Sequence, residues 1–391
     1  MDPAKFKRSP TGRLVKTPQG YWAFVPHPLP PRLAYDDTLV SLLSQADRAL
    51  SRLAGVGERL PNADLLVLPY MRREAVLSSR IEGTQASMSD LLFFEAGRSE
   101  PAKRADVQEV HNYVRAMNHG LARLKELPVS LRLVSEIHRQ LMEGVRGGQS
   151  QPGRFRRTQN WIGPPGSSVE GCTYVPPPVE EMGAALAAWE LYLHRRDATP
   201  PLLKCALIHY QFEAIHPFLD GNGRIGRLLI PLYLCAEGHL PQPLLYLSAY
   251  FERHRGDYYG HLLRVSQEGA WAEWLAFFLR GVAEQANDAL ERSRRILALR
   301  DDYRRRLQER RVSAIILGLL DHLFKHPIIT INQAAAALGV TYPTARSAVA
   351  RLAEAGILAP FAPAQRWGRT FWAQELFDLV GGAEVEGGPR G

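Results

Sequence analysis

The segment HPFLDGNGRIGR, residues 216–227, places a histidine, an acid, three glycines, an asparagine and two arginines within twelve positions. A helix that ends before Pro217, a tight loop, and a new helix opening at Gly221-Asn222-Gly223 leave the first N–H groups of that new helix without internal partners. They sit at the positive end of its dipole. Glycines there let a ligand approach the backbone itself. Such a cradle takes anions, phosphates above all. Arg224 and Arg227 are three apart and share one side of the helix, so both can clamp phosphate oxygens with forked hydrogen bonds. Asp220 is placed to hold Mg²⁺ bridging those phosphates. Unperturbed, His216 would titrate near neutrality and could take a proton from an attacking hydroxyl. Together the parts describe hydroxyl attack on a nucleotide phosphate.

Several elements must position this segment. Leu202, Ala206, Leu207 and Tyr210 repeat at helical spacing, which predicts a buried helix over 201–215 that Pro217 stops. A second apolar helix is expected from about Asn222 to Cys235, then two more at 257–267 and 271–286. Upstream, helices are expected at about 36–55 and as one region over 68–95. Between 151 and 178 the periodicity fails, and FRRTQNWI and TYVP read as the strands of a hairpin or flap. Residues 17–31, rich in proline and aromatics, read as an extended arm laid on another surface. From 291 to 311 the chain carries nine Arg against four acids, as in a solvated helical linker. Three short helices and a β-hairpin then follow, the pattern of a winged helix-turn-helix.

The bulk numbers frame these elements. With 391 residues, two or three domains are expected. The expected divisions are an N-terminal arm and helical region (1–100), a core (101–288) with its flap at about 153–178, the linker (289–311), the winged helix (312–376) and a disordered tail (377–391). Apolar runs such as LLIPLYLCA are too short and broken to cross a bilayer, so no membrane partner is expected. The N-terminus lacks the apolar stretch of an export signal, and three scattered cysteines suit a reducing compartment, so a cytoplasmic protein is expected. The net charge of +8 permits a polyanionic partner without requiring one.

The motif resembles that of the Fic (filamentation induced by cAMP) family, HxFx(D/E)GNGRxxR, at every specified position. WAFVPHPLPP, GRFRRTQNWIG with YVPPP, LYLSAY with the later tyrosine pair, and the C-terminal module extend the resemblance over roughly residues 15 to 375. The likeness is to bacterial Fic proteins with an N-terminal inhibitory helix. It implies a mainly α fold: a Fic helical core with a β-hairpin flap, plus the winged helix. It implies transfer of AMP from ATP to a Tyr, Thr or Ser hydroxyl of target proteins and of the chain itself. His216 would be the general base and Asp220 the Mg²⁺ ligand. Gly221, Asn222, Gly223 and Arg224 would hold the phosphates, with Ile225 and Gly226 between them and Arg227, which would meet the γ-phosphate. Thr158 to Gly163 would dock the target by strand pairing, and Asn160, Trp161, Ile162 and Gly163 would also line the nucleotide. Tyr258 and Tyr259 resemble an adenine-side pair, and where Ser266 stands some relatives carry asparagine. Some relatives transfer phosphate, UMP or phosphocholine instead.

SSRIEG, residues 78–83, matches the family's inhibitory pattern (S/T)xxxE(G/N). Ser78 and Glu82 share a helix face. By the resemblance, Glu82 pairs with Arg227 and so keeps ATP in a non-productive pose, or in some relatives supports AMP removal. A homodimer is implied by the family. The winged helix also admits a DNA-binding regulator, with Thr341 to Ser347 opening a recognition helix and Arg366 and Arg369 meeting phosphates. A metal hydrolase is disfavoured, because His209 and His216 are seven apart with no second carboxylate cluster. His209 reads as a packed helix histidine.

Overall fold

The computed structural model describes residues 1–59, 64–97, 103–145, 151–164, 166–310, 312–361 and 370–381. It is mainly α, with two small antiparallel sheets. Part of the proline-rich arm is a hairpin. β1 (Gly12–Lys16) pairs with β2 (Trp22–Pro26), Gly12 opposite Pro26 and Lys16 opposite Trp22. The arm lies on the core: Phe24 is fully buried and its N–H donates to the Val175 carbonyl at 2.9 Å.

Five helices follow: α1 (Asp37–Arg59), α2 (Asp64–Ile81), α3 (Met88–Glu95), α4 (Arg104–Arg123) and α5 (Leu131–Leu141). Their starts have the expected chemistry. Asp36 accepts from the Leu39 N–H, Ser87 and Asp90 form a capping box, and Ser130 accepts from the Leu133 N–H. The single helical region expected over 68–95 is two helices, α2 and α3. Gly83 takes φ +100° after Ile81, a conformation that ends a helix and suits glycine.

The flap is the clearest departure. Instead of a full hairpin, the described residues of 153–178 form an irregular excursion in which the two pieces read as strands meet at one isolated antiparallel bridge, Ile162 opposite Tyr174. Prolines at 164 and at 176–178 lack the N–H groups a ladder needs.

Six helices then form the core and its extension: α6 (Val179–His194), α7 (Pro201–Ile215), α8 (Asn222–Ala236), α9 (Ser248–Arg253), α10 (Arg255–Glu268) and α11 (Trp271–Glu309). α7 ends one residue before His216, as Pro217 requires. α11 corrects the linker expectation. The helix at 271–286 and the polar stretch after it are one helix of 39 residues, about 58 Å long. Its second half is not merely solvated. Ser293, Ile296, Tyr303 and Leu307 form a buried stripe at helical spacing, and Arg300 and Arg304 both pair with Asp321 at 3.0 Å.

The C-terminal elements are α12 (Ala314–Lys325), β3 (Ile328–Thr330), α13 (Ile331–Leu338), α14 (Tyr342–Glu354), β4 (Ala359–Pro360), β5 (Thr370–Trp372) and α15 (Gln374–Leu379), with sheet order β3-β5-β4. Arg366, Arg369 and residues 382–391 of the expected tail lie outside the described residues. The start of that tail is ordered instead: Phe377 and Val380 are buried. No described helix is long and apolar enough to cross a membrane.

Candidate active site

The site is built where α7 stops and α8 starts. His216 caps α7 in the left-handed region, φ +50° and ψ +60°, a conformation costly for a residue with a Cβ. Neighbours hold it there. Its carbonyl accepts from Arg156 Nε at 3.0 Å and from Asn160 Nδ2 at 3.2 Å. Its Nδ1 lies 3.2 Å from the Glu213 carbonyl. That contact assigns the proton to Nδ1 and leaves Nε2 as the basic nitrogen. Burial pushes the ring down to about 4, against smaller raising effects from the Glu213 carbonyl, Glu82 and Asp220, so the imidazole is neutral at physiological pH.

The loop after it is braced from both sides. Asn222 accepts from the Phe218 N–H and donates to the Phe218 carbonyl, both at 2.8 Å. Asn160 donates to the same carbonyl at 2.7 Å. His138 of α5 stacks on Phe218 and lies 3.0 Å from the Asp220 carbonyl. Its Nδ1 accepts from the Gly153 N–H, so its Nε2 is the donor. The Asp220 side chain is half exposed, and its Oδ1 accepts from the Gly221 N–H at 2.6 Å.

The two arginines of α8 are buried and held separately. Arg224 pairs with Glu109 of α4 at 3.2 Å and approaches Asp220 at 3.6 Å. Arg227 donates from Nε to Ser78 Oγ and from Nη2 to the Ser78 carbonyl, each at 2.9 Å, and from Nη2 to Glu82 Oε1 at 2.6 Å. Burial pushes the Glu82 carboxyl up, but Arg227, with help from Arg224 and His216, outweighs it and holds the group below its usual range. The approach is close enough that a Cβ on Gly223 would lie 2.3 Å from Glu82 Oε1. Any larger residue there would have to displace the carboxylate from this position.

Above this floor opens a cavity of about 630 Å³. It gathers His216, Asp220, Gly221, Asn222, Gly223, Glu82, Trp161, Ile162, Gly163 and Tyr259 on one surface. Asn160, Arg224, Ile225, Gly226 and Arg227 are packed beneath or behind it. Tyr258 is elsewhere: it is fully buried, and its hydroxyl lies 2.8 Å from His209 Nε2. His209 is a packed histidine, with Nδ1 on the Gly226 carbonyl at 3.0 Å. Sequence reasoning missed His138 and Arg156 as braces, and Glu213, Tyr174 and Tyr210 as cavity wall. Glu213 had a signal, since it stands three residues before His216 on the same helix.

A neutral buried imidazole, bare helix N-terminal amides and two buried guanidinium groups around one cavity define a helical protein with an anion-binding, proton-accepting site. Residues 40–122 match the family model "Fic/DOC family N-terminal" and residues 128–234 match "Fic/DOC family", so the chain carries both of these Fic/DOC family domains. It is 30% identical to Protein adenylyltransferase Fic of Drosophila grimshawi and to that of Drosophila virilis. Each match runs over 148 residues, 37% of this chain and 27% of the relative. The matched stretch thus spans about a quarter of the length of those relatives. A Fic family protein from Desulfovibrio desulfuricans G20 shares the fold, with a TM-score of 0.56 at 19% identity over 88% of this chain and 98% of that one.

Proposed function

We propose that the protein is an adenylyltransferase that moves AMP from ATP to a Tyr, Thr or Ser hydroxyl of target proteins and of itself, and that Glu82 restrains it. The observation that carries this reading is the neutral His216 set beside the Gly221–Gly223 backbone on one cavity, with Arg227 occupied by Ser78 and Glu82. The relatives named Protein adenylyltransferase Fic support it.

In this reading the N–H groups opening α8 bind phosphate oxygens, and Arg224 anchors them. His216 Nε2 takes the proton of the target hydroxyl as its oxygen bonds to the α-phosphorus. The bond from that phosphorus to the bridging oxygen breaks and pyrophosphate leaves. Asn160 and Arg156 keep the histidine aimed, so the gain is chiefly positioning and charge neutralisation. Among the described residues no three acidic, histidine or cysteine side chains cluster to hold a metal alone. The half-exposed Asp220 carboxylate at the loop still fits Mg²⁺, which commonly takes one or two carboxylates plus substrate phosphates. Asp220 would hold the ion, and the ion supplies charge neutralisation when bound. Glu82 on Arg227 blocks the partner a γ-phosphate needs, which is the restraint. Trp161, Ile162 and Gly163 with Tyr259 would enclose the nucleoside, and the Ile162 edge would receive the target segment. Tyr258 enters this reading only as support beneath Tyr259.

The C-terminal module is read as a winged helix-turn-helix. The order α12, β3, α13, α14, β4, β5 supports this, as does the exposure of Thr341 to Thr344, Arg346 and Ser347 at the start of α14. DNA is a candidate partner for that face. A homodimer is proposed from the family resemblance, and a cytoplasmic location from the three scattered, unpaired cysteines.

The deciding experiment is transfer of adenine-labelled ATP into protein with Mg²⁺ and a bacterial lysate. Wild type, Glu82→Gly, and Glu82→Gly with His216→Ala are compared. Label with the first variant and none with the double variant supports transfer, restraint and base together. No label from a Glu82→Gly protein that binds ATP sinks the AMP reading.

A further inference from the structure

Three acids line the cavity among the described residues, and two have clear partners: Glu82 on Arg227, and Asp220 on the Gly221 amide. The third, Glu213 in the last turn of α7, has none. Its Oε1 is buried and makes no hydrogen bond. The fold makes room for this carboxyl, because a Cβ on Gly226 would lie 2.1 Å from Oε1. The groups facing it are Arg227 of α8, Glu82 at the end of α2, Tyr258 and Tyr259 of α10, and His209 of its own helix across Gly226. Arg227 does not neutralise it by contact: Nε and Nη2 are engaged by Ser78 and Glu82, and Nη1, buried and without a partner, makes no hydrogen bond to Glu213.

A carboxylate at such a place would be buried, next to another carboxylate, and without a donor. Burial pushes Glu213 up to about 8, with Arg227 lowering it and Glu82 raising it further. At neutral pH the group therefore keeps its proton and is a hydrogen-bond donor. A neutral acid can face a polyphosphate that an ionised one would repel.

We infer that Glu213 is a nucleotide-binding residue of this cavity, donating a hydrogen bond from its protonated carboxyl to an oxygen of the bound nucleotide. The inference rests on the nucleotide reading of the cavity. It adds a contact from outside the 216–227 segment, and it makes nucleotide affinity depend on a proton. Binding favours the protonated acid, so affinity is full below the carboxyl's pKa and falls as pH rises through it.

The test is calorimetric titration of the full chain with ATP and Mg²⁺ at pH 7.5 and 9.5, with Glu82 kept in place because its charge helps hold the Glu213 proton. Three forms are compared: Glu213 intact, Glu213→Gln and Glu213→Ala. Intact Glu213 is expected to lose about tenfold in affinity between the two pH values. Glutamine, a permanent donor of the same shape, stays within about twofold. Alanine binds weakly at both. Parallel pH profiles for the intact and glutamine forms overturn the inference, as does alanine binding at pH 7.5 as tightly as intact Glu213. If the intact form binds no ATP at pH 7.5, the nucleotide reading itself fails and the inference with it. Matching melting temperatures at pH 7.5 establish that alanine's weakness is local, and the glutamine comparison decides the case if alanine fails to fold.

Discussion

Glu82 and Arg227, 145 residues apart in the chain, meet at 2.6 Å with unequal exposure: the arginine side chain is 1% accessible and the glutamate 32%. The guanidinium is fixed under the cavity floor by Ser78 as well. The carboxylate is the half of the pair that faces the cavity, and so the half an incoming anion can replace.

Removing that carboxylate is expected to raise AMP incorporation in Glu82→Gly. A hydrogen bond to a charged group is worth about 1.5–3 kcal/mol, which corresponds to roughly ten- to a hundredfold. Initial rates of self-modification with saturating ATP check this. Equal rates for variant and wild type would show that Glu82 is no restraint.

His216→Ala should lose about 10²–10⁴-fold in transfer, the usual contribution of a positioned base. ATP affinity should change little, because the phosphate contacts come from α8. Single-turnover rates and equilibrium binding on the same variant separate the two. A large loss of binding would recast His216 as a structural cap.

Seven histidines are pushed down by burial, four of them far: His138, His216 and His326 to about 4, and His209 to about 3. Each of these four stays neutral in the fold but takes up a proton near pH 6.5 when the chain unfolds. The unfolded state therefore binds more protons, and stability falls as pH drops from about 6.5 towards 4. The expected loss between pH 7 and pH 5 is about 1–2 kcal/mol per histidine. Urea denaturation at the two pH values measures it, and an unchanged midpoint would contradict the burial.

Glu74 is buried on α2, one turn before Ser78. It accepts from the Ser248 N–H and hydroxyl and from the Tyr113 hydroxyl. Glu74→Ala strands three donors and should cost about 3 kcal/mol. The variant's urea midpoint reads this directly. Loosening of α2 should also raise basal transfer, a sign opposite to that of general damage.

Arg72, also on α2, is buried against Glu95 at 2.8 Å and donates to the Lys325 carbonyl at the end of α12. Arg72→Ala leaves Glu95 without that partner, at an expected cost of about 3 kcal/mol. Amide exchange should quicken in α2 and α12 while α7 stays protected. Uniform quickening across the chain would mean that these contacts do not hold the two regions together.

What could be read in advance was local. Residues 216–227 are contiguous, so their cap, loop and helix start follow from Pro217 and the glycines. The contact from Ser78 and Glu82 spans nearly 150 residues and was legible only through a motif, because no spacing rule brings α2 to α8. Tyr258 and Tyr259 are neighbours about 100° apart around α10, and only the fold says which faces the core. β3 and α15, three and six residues long, are too short for periodicity to reveal. In the second half of α11 the arginines masked a narrow apolar stripe. Glu213 was overlooked because a lone acid in an apolar helix gives no pattern until Gly226 and the cavity are seen beside it.

α11 runs unbroken from Trp271, which edges against Tyr210 of the cavity wall, to Glu309 beside the C-terminal elements. A flexible tether would let those elements roam. A continuous helix about 58 Å long, stapled to α12 by Arg300 and Arg304 on Asp321, fixes them instead, and Arg72 docks the end of α12 on α2. A partner held by α14 would thus be fixed in distance and orientation relative to His216, and in the adenylyltransferase reading hydroxyls outside that reach would be spared.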